Sequence, residues 1–196
     1  MREIYLLLTR STTLFSQLIA LSTDAPYTHV SIGFDPSLSA FYSFARRNPS
    51  LPLPAGLVRE ELGGGYFGLH PDTPCLLLSL PVEDNIYHSL RHRVDQMMSR
   101  ASEYHYSLLG VILCKLDVAH RRKMHYFCSQ FVAQLLADTG AQTLPRDPSL
   151  MQPVDFTKIP DLTQHFCGTV GQLAAATTSE ETVYAAAPQP AMLQHS

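Results

Sequence analysis

A cysteine at the start of a predicted helix is the residue best placed to do chemistry in this sequence. Cys128 lies in the segment YFCSQFV (126–132), where apolar residues begin to recur at helical spacing. The free backbone N–H groups and the dipole of a helix start favour a thiolate. The same N–H groups can donate to the oxyanion that forms on an attacked carbonyl. The alternative is a structural cysteine packed as a small apolar residue, which is the commoner fate of cysteines in general.

A nucleophilic thiol needs a basic partner within hydrogen-bond reach, and the chain contains nine histidines. His29 is the candidate because it opens an apolar strand, where a rigid sheet could hold its ring against a facing helix. Most of the others fall in predicted loops, helix surfaces or the C-terminal tail, and we interpret them as solvated side chains. These are His70, His88, His92, His105, His120, His165 and His195.

Other chemistry near these residues is less well supported by their spacing. His88 and His92 are one helical turn apart, but no third ligand with suitable spacing follows, so we expect no metal. His125 is close enough to Cys128 in sequence for the two to suggest a metal site, but a role as nucleophile explains the thiol better. Tyr126 could donate to an oxyanion or pack its ring, and we favour packing. The sequence therefore predicts no cofactor.

Several short strands followed by helices must position these residues. The prediction is an α+β domain in which a small antiparallel sheet packs against helices. We expect strands at 4–9, 29–34, 40–46 and 75–80, helices from near Thr13 and at 83–102, 107–116 and 127–138, and a long surface loop at 48–70. The strands at 29–34 and 40–46 form a hairpin with His29 at its entry.

Four segments carry a family resemblance: LTRSTT (8–13), PYTHVS (26–31), YSFAR (42–46) and YFCSQFV (126–132). Together they resemble the circularly permuted branch of the NlpC-type papain-like superfamily, over most of residues 4–165. In that branch the histidine strand precedes the cysteine helix, and His29 precedes Cys128 here. The resemblance implies a permuted papain-like catalytic domain at 1–168, followed by a disordered tail at 169–196. It also strengthens the assignment of Cys128 as nucleophile.

A third catalytic residue follows from the resemblance, since such families usually carry one on the strand after the histidine to orient its ring. Tyr42 and Ser43 occupy that strand, although the residue there is often His, Asn, Gln or Glu. We choose Ser43. Glu60 or Glu61, on the predicted loop downstream, is the alternative, and a surface carboxylate without a catalytic role is the simpler interpretation of either glutamate.

Composition limits the possible partners and the compartment. The chain has 14 basic and 17 acidic residues and a formal net charge of −3, with no clustered basic field for nucleic acid. It has no secretory segment and no run of about 18 apolar residues, so we expect no membrane span and a cytoplasmic location. Its four cysteines, Cys75, Cys114, Cys128 and Cys167, are widely spaced and are expected to be free thiols.

These observations favour a thiol hydrolase that cleaves an amide bond, in a peptide or a related compound, through a Cys-His acyl-enzyme. The alternatives are a lipid or small-molecule acyltransferase that uses the same pair, and a binding module that keeps the fold without turnover. The expected partner is a peptide-like or acyl small molecule. The sequence leaves the oligomeric state open.

Overall fold

The computed structural model describes residues 1–10, 25–48, 51 and 53–186, with side chains to residue 178. Its strands are β1 (Arg2–Thr9), β2 (His29–Gly33), β3 (Phe41–Arg46), β4 (Ala55–Glu60), β5 (Pro74–Val82), β6 (His105–Tyr106), β7 (His125–Tyr126) and β8 (Thr163–Thr169). Its helices are α1 (Gly65–Leu69), α2 (Asp84–Met98), α3 (Leu108–Lys115), α4 (Cys128–Asp138) and α5 (Val170–Ala186). Short 3₁₀ turns lie at Ala101–Glu103, Pro148–Leu150 and Pro153–Lys158.

A six-stranded antiparallel sheet in the order β4-β3-β2-β1-β5-β8 forms the centre of the fold. The short strands β6 and β7 pair separately and in parallel. The predicted α+β class and the antiparallel sheet are confirmed, and the predicted hairpin corresponds to β2 and β3. The sheet is larger than the small one that the sequence suggested.

Both faces of the sheet are covered by helices, which explains why β1 is apolar at every position from Ile4 to Leu8. Ile4, Leu6 and Leu8 point into one core with α2 and α4. Tyr5 and Leu7 point into a second core on the opposite face. The first core is the larger, and it fixes α4 across β2 and β3.

Helix α4 matches the predicted helix at 127–138 closely. Phe131, Val132 and Leu135 form its buried stripe against the sheet. The helix ends at Asp138 and is followed by Gly140, whose φ of +70° is in the left-handed region that suits glycine. This packing determines where the first residue of α4 lies.

The predicted loop at 48–70 is wrong in part, because it contains β4 and α1. Strand β4 pairs with β3 over its whole length, from Arg46 opposite Ala55 to Phe41 opposite Glu60. Leu57 is buried in the larger core, which stabilises the strand despite the surrounding prolines and glycines.

The C-terminal region also differs from the sequence expectation. Strand β8 pairs with β5, and α5 continues from it. Val170 and Leu173 are buried in the second core, so the chain after residue 168 begins as a packed helix and not as a tail. Residues 187–196, and the helix that we expect near Thr13, lie outside the described residues.

Among the helices of the described ranges, none combines the length and apolar character needed to cross a bilayer.

Candidate active site

Cys128 is the first residue of α4, as its sequence position predicted. The preceding residue, Phe127, is extended (φ −110°, ψ 167°) and makes no side-chain capping hydrogen bond. The first intrahelical bond of this turn runs from the Phe131 N–H to the Phe127 carbonyl, so the N–H groups before residue 131 have no intrahelical acceptor. Cys128 therefore lies at the positive end of the helix dipole, and it is only 3% exposed.

His29 is the first residue of β2, and its side chain is 13% exposed. Its Nε2 atom is 3.1 Å from both carboxylate oxygens of Glu60, so the Nε2–H donates to Glu60. The ring also shares a hydrogen bond with the thiol of Cys128. Because Nε2 is engaged by the carboxylate, Nδ1 is the nitrogen left for the sulfur.

The surroundings of His29 favour its charged form. Burial alone would lower the pKa of His29, but the negative charge of Glu60 and the hydrogen bonds to Cys128 and Glu60 outweigh it. The pKa of His29 therefore lies well above its ordinary value of 6.5. The Glu60 carboxylate and the Cys128 thiol therefore both favour a proton on this ring.

Glu60 is the last residue of β4, and its side chain is 12% exposed. Burial alone would raise its pKa, but the charge of His29 and the hydrogen bonds from His29 and Ser43 keep that pKa below its ordinary value. The Ser43 hydroxyl donates to Glu60 Oε2 at 2.8 Å. Glu60 is thus a buried carboxylate held on one side by the imidazole and on the other by a serine.

The structure brings Cys128, His29 and Ser43 to one place, but Ser43 contacts Glu60 and not the imidazole. The group that orients His29 is Glu60, which the sequence offered only as an alternative. The sequence feature that could have identified Glu60 is the run Ala55–Glu60. In this run Leu57 faces the larger core and Glu60 lies on the opposite side of the strand. The neighbouring Pro and Gly residues led us to predict a loop at this position instead of a strand.

The remaining candidates for the third position lie elsewhere. Tyr42 packs in the larger core, with its ring centroid 6.2 Å from that of Phe34. Glu61 is exposed and forms an ion pair with Arg59 at 3.0 Å. Neither side chain contributes to the His29 pair.

A small cavity of about 20 Å³ lies against Cys128, and Thr28, Tyr106 and Val111 are among the residues that line it. Its volume has room for about one water molecule. Burial raises the pKa of Tyr106 well above 10, and the charge of Cys128 contributes. Tyr106 therefore keeps its proton at ordinary pH values. Sequence reasoning missed it because no motif surrounds it.

Tyr126 packs its ring 5.3 Å from the ring of Phe44 in the larger core, in the role favoured from sequence. His88 and His92 are exposed on α2. Within the described ranges, no group of three or more His, Cys, Asp or Glu residues could hold a metal ion.

All four cysteines are free thiols, and they differ in their surroundings. Burial raises the pKa of Cys75 to about 12 and that of Cys114 to about 11. Cys167 is exposed. Among these thiols, Cys128 alone is hydrogen-bonded to a histidine in the described part of the chain.

Comparison of the chain with protein-family models, with curated proteins and with solved structures found no match.

Proposed function

We propose that this protein is a cysteine hydrolase that cleaves an amide bond, in a peptide or a related compound, through an acyl-enzyme on Cys128. The observation that carries the proposal is the buried His29–Glu60 ion pair, whose imidazole is hydrogen-bonded to a thiol at a helix start. A buried ion pair is costly to assemble and is weak evidence for stability. Titratable groups with such shifted pKa values cluster at functional sites.

The fold that we propose is the circularly permuted papain-like arrangement of the NlpC type. Its support is the order of the parts: a histidine on the second strand of an antiparallel sheet, followed far along the chain by a cysteine on a helix packed against that sheet. Glu60, on β4, takes the orienting position that the resemblance led us to expect on the strand after the histidine.

The first half of the reaction begins with the proton of the Cys128 thiol on His29 and the imidazolium stabilised by Glu60. The thiolate attacks the carbonyl carbon, a C–S bond forms, and the carbonyl π electrons move to oxygen. The N–H groups at the start of α4 and the Tyr106 hydroxyl would donate to this oxyanion. The C–N bond then breaks as His29 gives its proton to the leaving amine, and a thioester remains on Cys128.

The second half returns the site to its starting state. A water molecule gives a proton to His29 and attacks the thioester carbon, and collapse of this intermediate breaks the C–S bond. The carboxylic acid leaves and Cys128 is again a thiolate beside an imidazolium. The cavity next to the sulfur has room for one such water.

An acyltransferase that uses the same pair is the second candidate, and the observation in its favour is an apolar surface beside the site. Leu109 and Ile112, on the helix that lines the cavity, are 56% and 57% exposed. Such a surface suits an acyl chain. In this case a second substrate, and not water, would accept the acyl group.

The experiment is to trap the acyl-enzyme with p-nitrophenyl acetate, an activated ester whose acetyl group any nucleophilic thiol can accept. Intact-mass and peptide-level mass spectrometry should find acetyl on Cys128, with release of p-nitrophenol continuing as the thioester hydrolyses. Cys128→Ala should abolish the signal, whereas Cys167→Ala, which removes an exposed thiol, should not change it. An acetyl group that stays on Cys128 until an amine is added would favour acyl transfer.

An unmodified Cys128 would contradict both enzymatic candidates. It would favour the third alternative, a binding module that keeps the fold without turnover. A panel of peptide amides follows if the acetyl-enzyme turns over.

A further inference from the structure

The outer surface of α3 carries a row of exposed apolar side chains. Leu109, Ile112 and Leu116 are 56%, 57% and 67% exposed, and their spacing of three and four residues puts them on one side of the helix. Leu108 and Val118, at 41% and 49%, extend the row at its two ends. We call these residues the α3 ridge. Exposed apolar groups in such a contiguous set mark a contact surface more often than isolated ones do.

The opposite side of α3 is fixed, so the ridge cannot turn inward. Gly110 and Cys114 are buried. A Cβ atom at Gly110 would lie 2.6 Å from the Ser107 hydroxyl and 3.2 Å from the ring of Phe127, so only glycine allows this close approach. Ser107 also caps the helix by accepting the N–H of Gly110 at 3.1 Å. The ridge therefore faces outward as a consequence of the packing behind it.

Basic residues follow the ridge directly in the chain. Arg122 and Lys123 are exposed, and neither forms an ion pair within the part of the chain that the structure describes. Arg121 is also exposed, and it pairs with Asp147 at 2.6 Å.

Three acidic residues near α3 in the described part of the chain already have basic partners. Asp117 forms an ion pair with Arg146. The Oδ1 atom of Asp155 lies 3.6 Å from the Nζ atom of Lys158. Asp147 is bound to Arg121, as described above. Among the described residues, the charges that follow the ridge in the chain without an ion-pair partner are therefore the positive ones of Arg122 and Lys123.

The helix that carries the ridge also lines the cavity of the candidate active site, with its opposite side. Val111, Cys114 and Lys115, on the inner side and at the end of α3, line the cavity against Cys128. A large apolar or acyl partner on the ridge would thus be held one helix diameter from the sulfur.

We propose that the α3 ridge, together with Arg122 and Lys123, binds the surface of an anionic lipid bilayer. A short apolar helix face followed by basic residues matches the chemistry of an acyl boundary beneath anionic headgroups. The positive charge is the observation that favours a lipid surface over a second copy of this chain. In a contact between two copies, Arg122 and Lys123 of one copy would repel the same residues of the other. This binding is independent of turnover, so it stands or fails separately from the proposed hydrolase.

The test is flotation of the full chain with vesicles of phosphatidylcholine alone and with vesicles of equal parts phosphatidylcholine and phosphatidylglycerol. We expect binding to the mixed vesicles, weaker binding to phosphatidylcholine, and loss of binding as salt is added. The double variant Leu109→Ser/Ile112→Ser should lower the bound fraction at least about tenfold, because it removes apolar groups from the bilayer contact. Arg122→Ala/Lys123→Ala should lower it about tenfold or more on mixed vesicles only.

Leu69→Ser is the matched control, because Leu69 is 60% exposed at the end of α1 and does not belong to the ridge. Its binding should equal that of the wild type. Cys128→Ala should also bind vesicles as the wild type does. A failed acyl-enzyme experiment would therefore contradict the proposed hydrolase, and a failed flotation experiment would contradict the proposed membrane binding. Thermal unfolding of each variant checks that the fold is kept.

Two results would overturn the proposal. The first is the absence of any vesicle-bound fraction, or equal binding by the ridge variant and the wild type. The second is a concentration-dependent dimer in sedimentation velocity that Leu109→Ser/Ile112→Ser dissociates, which would assign the ridge to a second copy.

Discussion

Replacing Glu60 by Gln tests the electrostatic core of the site. The substitution keeps the size of the side chain and a hydrogen-bond acceptor for Ser43, and it removes the negative charge 3.1 Å from His29 Nε2. Hydrogen bonds to charged groups are worth about 1.5–3 kcal/mol. Because the side chains of Glu60 and His29 are only 12% and 13% exposed, solvent screening reduces this little. We therefore expect the free energy of unfolding to fall by about 1.5–3 kcal/mol near pH 6.

The pH dependence of this loss follows from the two pKa shifts. The pKa of His29 is raised above 6.5 by folding, so its contribution is complete below pH 6.5 and is lost as the pH rises through the folded pKa. The pKa of Glu60 is lowered below 4.5, so its contribution is complete above pH 4.5 and is lost as the pH falls through the folded pKa. The difference between wild type and Glu60→Gln should be largest between these limits.

Chemical denaturation from pH 3 upward measures this difference, and NMR titration of the His29 ring should find a lower pKa in the variant. Glu61→Gln is the matched control, since Glu61 is 52% exposed in its pair with Arg59 and such surface pairs contribute about 0–1 kcal/mol. Equal losses in the two variants, or a loss at Glu60 that does not vary with pH, would refute the reasoning.

Three further predictions concern the serine, the tyrosine and the C-terminal helix. Ser43→Ala removes the 2.8 Å hydrogen bond to Glu60, and we expect acylation by p-nitrophenyl acetate to slow about three- to tenfold, as a single hydrogen bond implies. Tyr106→Phe should lower the acylation rate about tenfold or more and leave alkylation by iodoacetamide unchanged, because an alkylation forms no oxyanion. Tyr126→Phe, on a ring that packs in the core, should change neither rate. Leu173→Ala should lower the free energy of unfolding by about 2–5 kcal/mol, whereas the same change at exposed Leu69 should cost under about 0.5 kcal/mol.

The sequence predicted the parts of the site that depend on local patterns. Cys128 opens an apolar helical stripe and His29 opens an alternating strand, so both positions could be read from spacing. Glu60 could be read only as one of two adjacent glutamates, because its role depends on the pairing of β4 with β3. That pairing is a long-range contact between strands separated by prolines.

The C-terminal helix illustrates the same limit. Residues after 168 are rich in Ala and Thr and show no helical periodicity, so composition alone favoured a tail. The helix forms because Val170 and Leu173 fill the second core beneath β1 and β5. Tertiary burial of two side chains outweighed a weak local preference.

The most direct test of the central claim is the rate at which each cysteine of the folded chain reacts with iodoacetamide near neutral pH, followed by peptide mass spectrometry. Cys75 and Cys114, with pKa values raised by burial to about 12 and 11, provide internal references. We expect Cys128 to react much faster than both, and to lose that advantage in His29→Ala. Labelling of Cys128 no faster than that of Cys75 and Cys114, or labelling unaffected by His29→Ala, would contradict the account.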